Sequence, residues 1–145
     1  MRERRIATLF VVAGLLVPAC AEASGAEDGS DLVPPARLEE IEGSDIGRVV
    51  LTSEASHRLG LETTPVRTGP GPDQTVIPHA AIFYGLTGET WTYTSPEALT
   101  YVREPVSVQR IDGDVAYLED GPPPGTQVVT VGAAELYGVE TGVGD

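Results

Sequence analysis

The 145-residue sequence has no lysine, one cysteine, one methionine, one tryptophan and two histidines. A lone cysteine excludes any disulfide within the chain, so covalent bridges do not stabilise the fold. All nine basic residues are arginines, set against 22 acids, for a formal net charge of -13. So acidic a chain repels nucleic acid and anionic lipid headgroups, and no nucleic-acid partner is expected. The charge also keeps the chain soluble, and it favours a cationic partner over an anionic one.

Signals for chemistry are equally scarce. There is no G-x-S-x-G, and no glycine-rich loop joins a strand to a helix. His57 and His79 stand apart from any His, Cys or Asp at ligand spacing, so no metal site is expected on them. Asp112-Gly113-Asp114 is reminiscent of a calcium loop, but the further acids and the Glu at the twelfth position are missing. The expectation is a protein that is not an enzyme, with no catalytic residue, no cofactor and no metal.

What is present begins at the N-terminus. Arg2, Arg4 and Arg5 form a positive start, and Ile6 to Val17 is an apolar run in which Thr8 is the only polar residue. That run suits the core of a signal peptide, over residues 1–19, and is too short for a spanning helix of about 20 residues. Arg4-Arg5 lacks the rest of a twin-arginine motif, so general secretion is expected. Val17-Pro18-Ala19-Cys20 then places an aliphatic residue and a small residue before Cys, as in the lipobox of bacterial lipoproteins. That resemblance implies lipidation of Cys20 and a chain anchored to the outside of the cell membrane. Cleavage after the A-x-A site Ala21-Glu22-Ala23 is the alternative, and would give a secreted protein without cysteine. Removing residues 1–19, with three Arg and one Glu, takes away +2 and leaves the mature chain at -15.

Residues 20–45 are rich in Glu, Asp, Ala, Gly and Ser around Pro34-Pro35, and read as a disordered acidic tether. At about 25 residues its span is roughly 25–30 Å, so the folded part should sit close above the bilayer. Residues 46–145 form the expected domain. Arg48–Thr52 reads as a strand, Ser53 as the cap of a short helix stopped by Gly60, and Leu61–Val66 as extended chain with Pro65 marking an edge or an end. Gly69-Pro70-Gly71-Pro72 is a break. Thr75–Ile77, Ala80–Tyr84, Thr90–Thr94, Tyr101–Val108, Val115–Leu118 and Gln127–Val131 read as strands, the last buried on both faces. Trp91 and Tyr93 alternate with threonines and are expected on the core face. Asp112-Gly113 marks a tight hairpin, and Ala133–Tyr137 one helical turn. The fold class is therefore mainly β, a small antiparallel barrel or sandwich with one or two short helices.

The order of these elements has a parallel. Thr75-Val76-Ile77-Pro78-His79-Ala80-Ala81-Ile82 resembles the "V-P-x-x-A-hydrophobic" opening of the last domain of periplasmic adaptor subunits, the membrane-fusion proteins of the HlyD type. Thr90–Tyr93 is similar to that family's "x-W-V-Y-V" strand, Arg103–Val108 to its "R-x-x-V-x-V", Gly121–Gly132 to its "G-L-x-x-G-x-x-V-V-x-x-G" and Ala133–Leu136 to its "A-x-x-L". Arg48–Val66 resembles the N-terminal strand and helix of heavy-metal-type adaptors, which pair with that last domain. In full adaptors a β-barrel, a lipoyl-like domain and a helical hairpin separate the two pieces; here only Arg67–Gln74 does. The resemblance implies a stand-alone membrane-proximal domain, a lipid-anchored binding module accessory to an efflux transporter or another envelope protein. A cell-envelope module that binds a small ligand or a metal ion is the alternative.

Overall fold

The computed structural model describes residues 33–142. They form a mainly β sandwich of two antiparallel sheets with two short helices. Among the described residues no closed barrel forms, and no helix is long and apolar enough to cross a membrane.

The larger sheet runs in the order β1 (Ala36–Glu40), β2 (Gly47–Leu51), β8 (Thr100–Pro105), β7 (Thr90–Glu97), β11 (Gln127–Val131), β3 (Glu62–Pro65), with β6 (Phe83–Tyr84) on the start of β7. The smaller sheet runs β4 (Arg67–Thr68), β5 (Thr75–Pro78), β10 (Val115–Asp120), β9 (Ser107–Asp112). Successive residues of a strand point to opposite faces, and β11 uses both. Val129 packs with Val49, Leu51, Tyr93 and Tyr101 beneath α1 (Ser53–Leu59) and α2 (Ala133–Thr141). Its neighbour Val128 packs instead with Ile77, Ala116 and Leu118 of the smaller sheet. The layers are thus helices, large sheet, small sheet. Both valines are fully buried, as expected of this strand, although its ends Gln127 and Val131 are exposed.

The chain crosses between sheets at buried corners. Pro105 ends β8 because it cannot donate to the ladder, and Val106 turns inward, its N–H donating to Thr90 O at 3.0 Å. The single extended stretch expected over Tyr101–Val108 is therefore two strands in different sheets. Val66 makes the equivalent corner between β3 and β4, bonded through Thr126 O and the Gly125 N–H. Pro65 does lie on an edge strand, β3.

Several local expectations need correcting. The N-cap of α1 is Thr52, whose hydroxyl accepts from the Ala55 N–H at 3.1 Å, with Ser53 as the first helical residue. Gly60 closes that helix in the left-handed conformation, as expected. Ala80–Tyr84 is not one strand: a 3-10 turn over His79–Ala81 follows Pro78, and only Phe83–Tyr84 pairs. Helix α2 has nine residues rather than a single turn.

The largest correction concerns the stretch read as tether. Ala36–Glu40 is β1, in five-residue register with β2 from Ala36↔Leu51 to Glu40↔Gly47. Acidic composition argues against a buried core, but β1 needs none: it satisfies the backbone groups of an otherwise bare β2 edge. Glu39 is further matched by Arg37 at 3.5 Å and Arg48 at 3.9 Å. Residues 20–32 of the expected tether lie outside the described residues, as does the signal segment.

Candidate functional site

Cys20 lies outside the described residues. His57 is exposed on α1 and His79 is exposed on the 3-10 turn. Among the described residues, no three His, Cys, Asp or Glu side chains gather closely enough to hold a metal ion. Asp112 and Asp114 serve the β9–β10 hairpin. Asp112 pairs with Val115 across a two-residue loop and lies 3.3 Å from Arg110, while the Asp114 carbonyl accepts the His79 N–H at 2.8 Å. The loop residues are Gly113 and Asp114, not Asp112 and Gly113, and only Gly113 has positive φ, at 61°. Glycine leading a two-residue loop is the pattern of a II′ turn.

The structure brings together a group that no local pattern announces. Arg103 on β8 and Glu140 on α2 form a buried ion pair, Nη2 to Oε1 at 3.1 Å. The other Glu140 oxygen accepts from the Tyr93 hydroxyl on β7. Two aromatic rings face the guanidinium, and a third stacks on Tyr93. The Arg103 guanidinium sits 4.3 Å from the Trp91 ring centre and 5.4 Å from that of Tyr137, and Phe83 stacks on Tyr93 at 5.1 Å. Burial, then the Glu140 hydrogen bond and charge, push the Tyr93 hydroxyl far above its ordinary value, so it remains a donor. Both carboxylate oxygens are engaged, and the Glu140 side chain is only 4 % exposed. The group therefore acts as a clamp, fixing the C-terminal helix to the middle of the large sheet.

Trp91 departs from expectation here. Tyr93 is fully buried, but Trp91 is only partly covered, and it rests on Arg103 rather than in the apolar core. Its indole N–H is buried without a well-aligned partner. It lies close enough to Glu89 to help hold that carboxylate below its ordinary range, an effect due first to the hydrogen bond from the Thr87 hydroxyl.

A second arrangement lies on the outer face of the small sheet. The registers Arg67↔Val76, Val76↔Tyr117 and Tyr117↔Arg110 place four residues in one row across all four strands. Residues directly opposite one another share a face, so this row presents two arginines flanking a valine and a tyrosine. The Arg110 guanidinium stacks on the Tyr117 ring, 3.5 Å from its centre. Between Arg67 and Tyr117 runs an open groove of about 250 Å³, with Pro70, Val76 and Val115 also lining it. The register of β4 and β9 was the missing information: neither Arg67 nor Arg110 stands out in the sequence. Comparison of the chain with known families, curated proteins and solved structures finds no match.

Proposed function

We propose that this chain is a lipid-anchored, extracytoplasmic binding module of the adaptor kind, working without catalysis. Cys20 holds it to the membrane, and the β domain engages a neighbouring envelope protein such as the outer face of a transporter. The observation that carries this reading is the way two adaptor-like stretches come together. Arg48–Val66 supplies β2, α1 and β3, and the later stretch supplies β7, β8 and β11. β2 pairs with β8 from Arg48↔Val102 to Val50↔Thr100, and β3 pairs with β11 from Glu62↔Val131 to Pro65↔Gln127. The two stretches thus contribute strands to one sheet, as in the pairing that the resemblance implies.

The anchor is tested by the intact mass of the protein from membranes. The expected species begins at Cys20 and carries acyl mass, and Cys20→Ala releases the chain or leaves it uncleaved. An unmodified chain that begins at Ser24 would remove the anchor from the proposal.

A further inference from the structure

Six arginines fall among the described residues, and Arg37, Arg48, Arg58, Arg103 and Arg110 each pair with a carboxylate. Arg67 has no such partner among the described residues, in a chain whose acids outnumber its basic residues 22 to 9. It also lines the groove beside Tyr117. We propose that this groove is a binding site for a small monoanionic carboxylate with a planar, apolar body.

The charge of the ligand follows from the arginines. Arg67, with no carboxylate on it among the described residues, offers a guanidinium fork that matches a carboxylate in two parallel hydrogen bonds. Arg110 is already matched by Asp112 at 3.3 Å, so one positive charge is available, not two. A second negative charge on the ligand would meet the field of a chain at -13 without a local counterpart.

The shape of the ligand follows from the lining. Val76, 7 % exposed, separates Arg67 from Tyr117 in the row, and Val115 and Pro70 add apolar wall. Arg110 covers the Tyr117 ring and limits its rotation. The loop carrying Pro70 is tightly held: the Gly69 N–H donates to Gln74 O at 2.7 Å, and a Cβ at Gly69 would stand 2.9 Å from Gln74 Cγ. Walls fixed before binding lower the ordering cost. A volume of about 250 Å³ admits one ring with its carboxylate and is below the range of drug-sized pockets.

The site does not depend on the adaptor reading, and loss of either leaves the other standing. The test is a nuclear magnetic resonance titration of the full chain in an uncharged detergent, with benzoate, benzamide and acetate as probes. Benzoate is expected to give saturable shifts at the backbone amides of Arg67, Gly69, Val76 and Tyr117, with a Kd on the order of 1 mM. Benzamide lacks the charge and acetate lacks the ring, so each should bind about tenfold more weakly or worse. Arg67→Gln should weaken benzoate about tenfold and leave thermal unfolding unchanged, because Arg67 is exposed on a two-residue edge strand. Tyr117→Leu should weaken it severalfold; should that variant unfold, Arg67→Gln decides alone. Shifts that never saturate, that scatter over other surfaces, that acetate reproduces at equal affinity, or that survive Arg67→Gln would each overturn the site.

Discussion

The Arg103 guanidinium and the Glu140 carboxylate meet at 3.1 Å, 37 residues apart in sequence, with side chains only 14 % and 4 % exposed. A pair so shielded behaves differently from the surface pair Glu54–Arg58, whose side chains are 82 % and 66 % exposed and whose contribution is expected to be about 0.3–0.5 kcal/mol. Removing Glu140 strands a buried cation and a buried tyrosine hydroxyl together. Glu140→Ala is therefore expected to cost about 3–5 kcal/mol in urea unfolding at neutral pH. Replacing both partners, Arg103→Met with Glu140→Leu, should recover most of that loss. A cost for Glu140→Ala below about 1 kcal/mol, the level of an exposed pair, would show that water relaxes the site.

The Tyr93 hydroxyl gives the same clamp a pH signature. Its folded pKa is raised, first by burial and then by Glu140, above the ordinary tyrosine value of about 10. The unfolded chain then releases this proton more readily than the folded one. The contribution is fully present below about pH 10 and is lost as pH rises beyond that value. Urea midpoints should fall more steeply above pH 10 in the parent than in Tyr93→Phe. Parallel curves for the two would contradict the assignment.

Gly132 joins β11 to α2 at φ 93°, and a Cβ there would overlap the Leu61 side chain. Two effects add in Gly132→Ala: a positive φ disfavoured by about 1–2 kcal/mol, and crowding against a packed neighbour at about 1–3 kcal/mol. The variant should lose about 2–5 kcal/mol in denaturant unfolding. Gly125, at the same φ but with open space around its missing Cβ, should lose less when changed to alanine.

What the sequence disclosed, and what it withheld, follows the range of the forces involved. The turn at Gly113, the stop at Gly60 and the doubly buried Val128-Val129 pair are local facts of backbone conformation and hydrophobicity, and all three are legible residue by residue. The cap slipped by one residue because Thr52 and Ser53 offer equivalent hydroxyls, and only the turn geometry chooses between them. β1 was hidden because its composition is that of a solvated segment, while its reason to form is the exposed edge of β2. Trp91 followed the alternation rule onto the face of Tyr93. What covers that end of the strand is Arg103 rather than apolar core, and this depends on the β7–β8 register, Tyr93↔Arg103 and Trp91↔Pro105. The Arg67–Tyr117 groove is a product of strand order and the Arg103–Glu140 pair of the docking of α2 on the sheet, neither of which one sequence reveals.

Strand order also predicts which piece of the chain folds. A chain beginning at Gly69 lacks β1 to β4 and α1, leaving one edge of β8, β11 and β5 bare. It should aggregate or show no cooperative thermal transition by circular dichroism. A chain beginning at Ile46 keeps β2 to β11 and should unfold cooperatively, at a lower midpoint than one beginning at Val33, which retains β1. Equal midpoints for the last two would mean that β1 adds nothing to the domain.

Under the proposed function, a membrane-held β module works by binding a neighbour. The most direct test is affinity purification of the tagged full chain from detergent-solubilised membranes of its native host, beside Cys20→Ala expressed at the same level. One integral membrane protein is expected in fixed stoichiometry with the parent, and strongly depleted with whatever Cys20→Ala protein has been released from the membrane, whose folded domain is intact but no longer held there. Recovery of the parent chain alone, folded and in the membrane fraction, under detergents that keep other envelope complexes together, would contradict it.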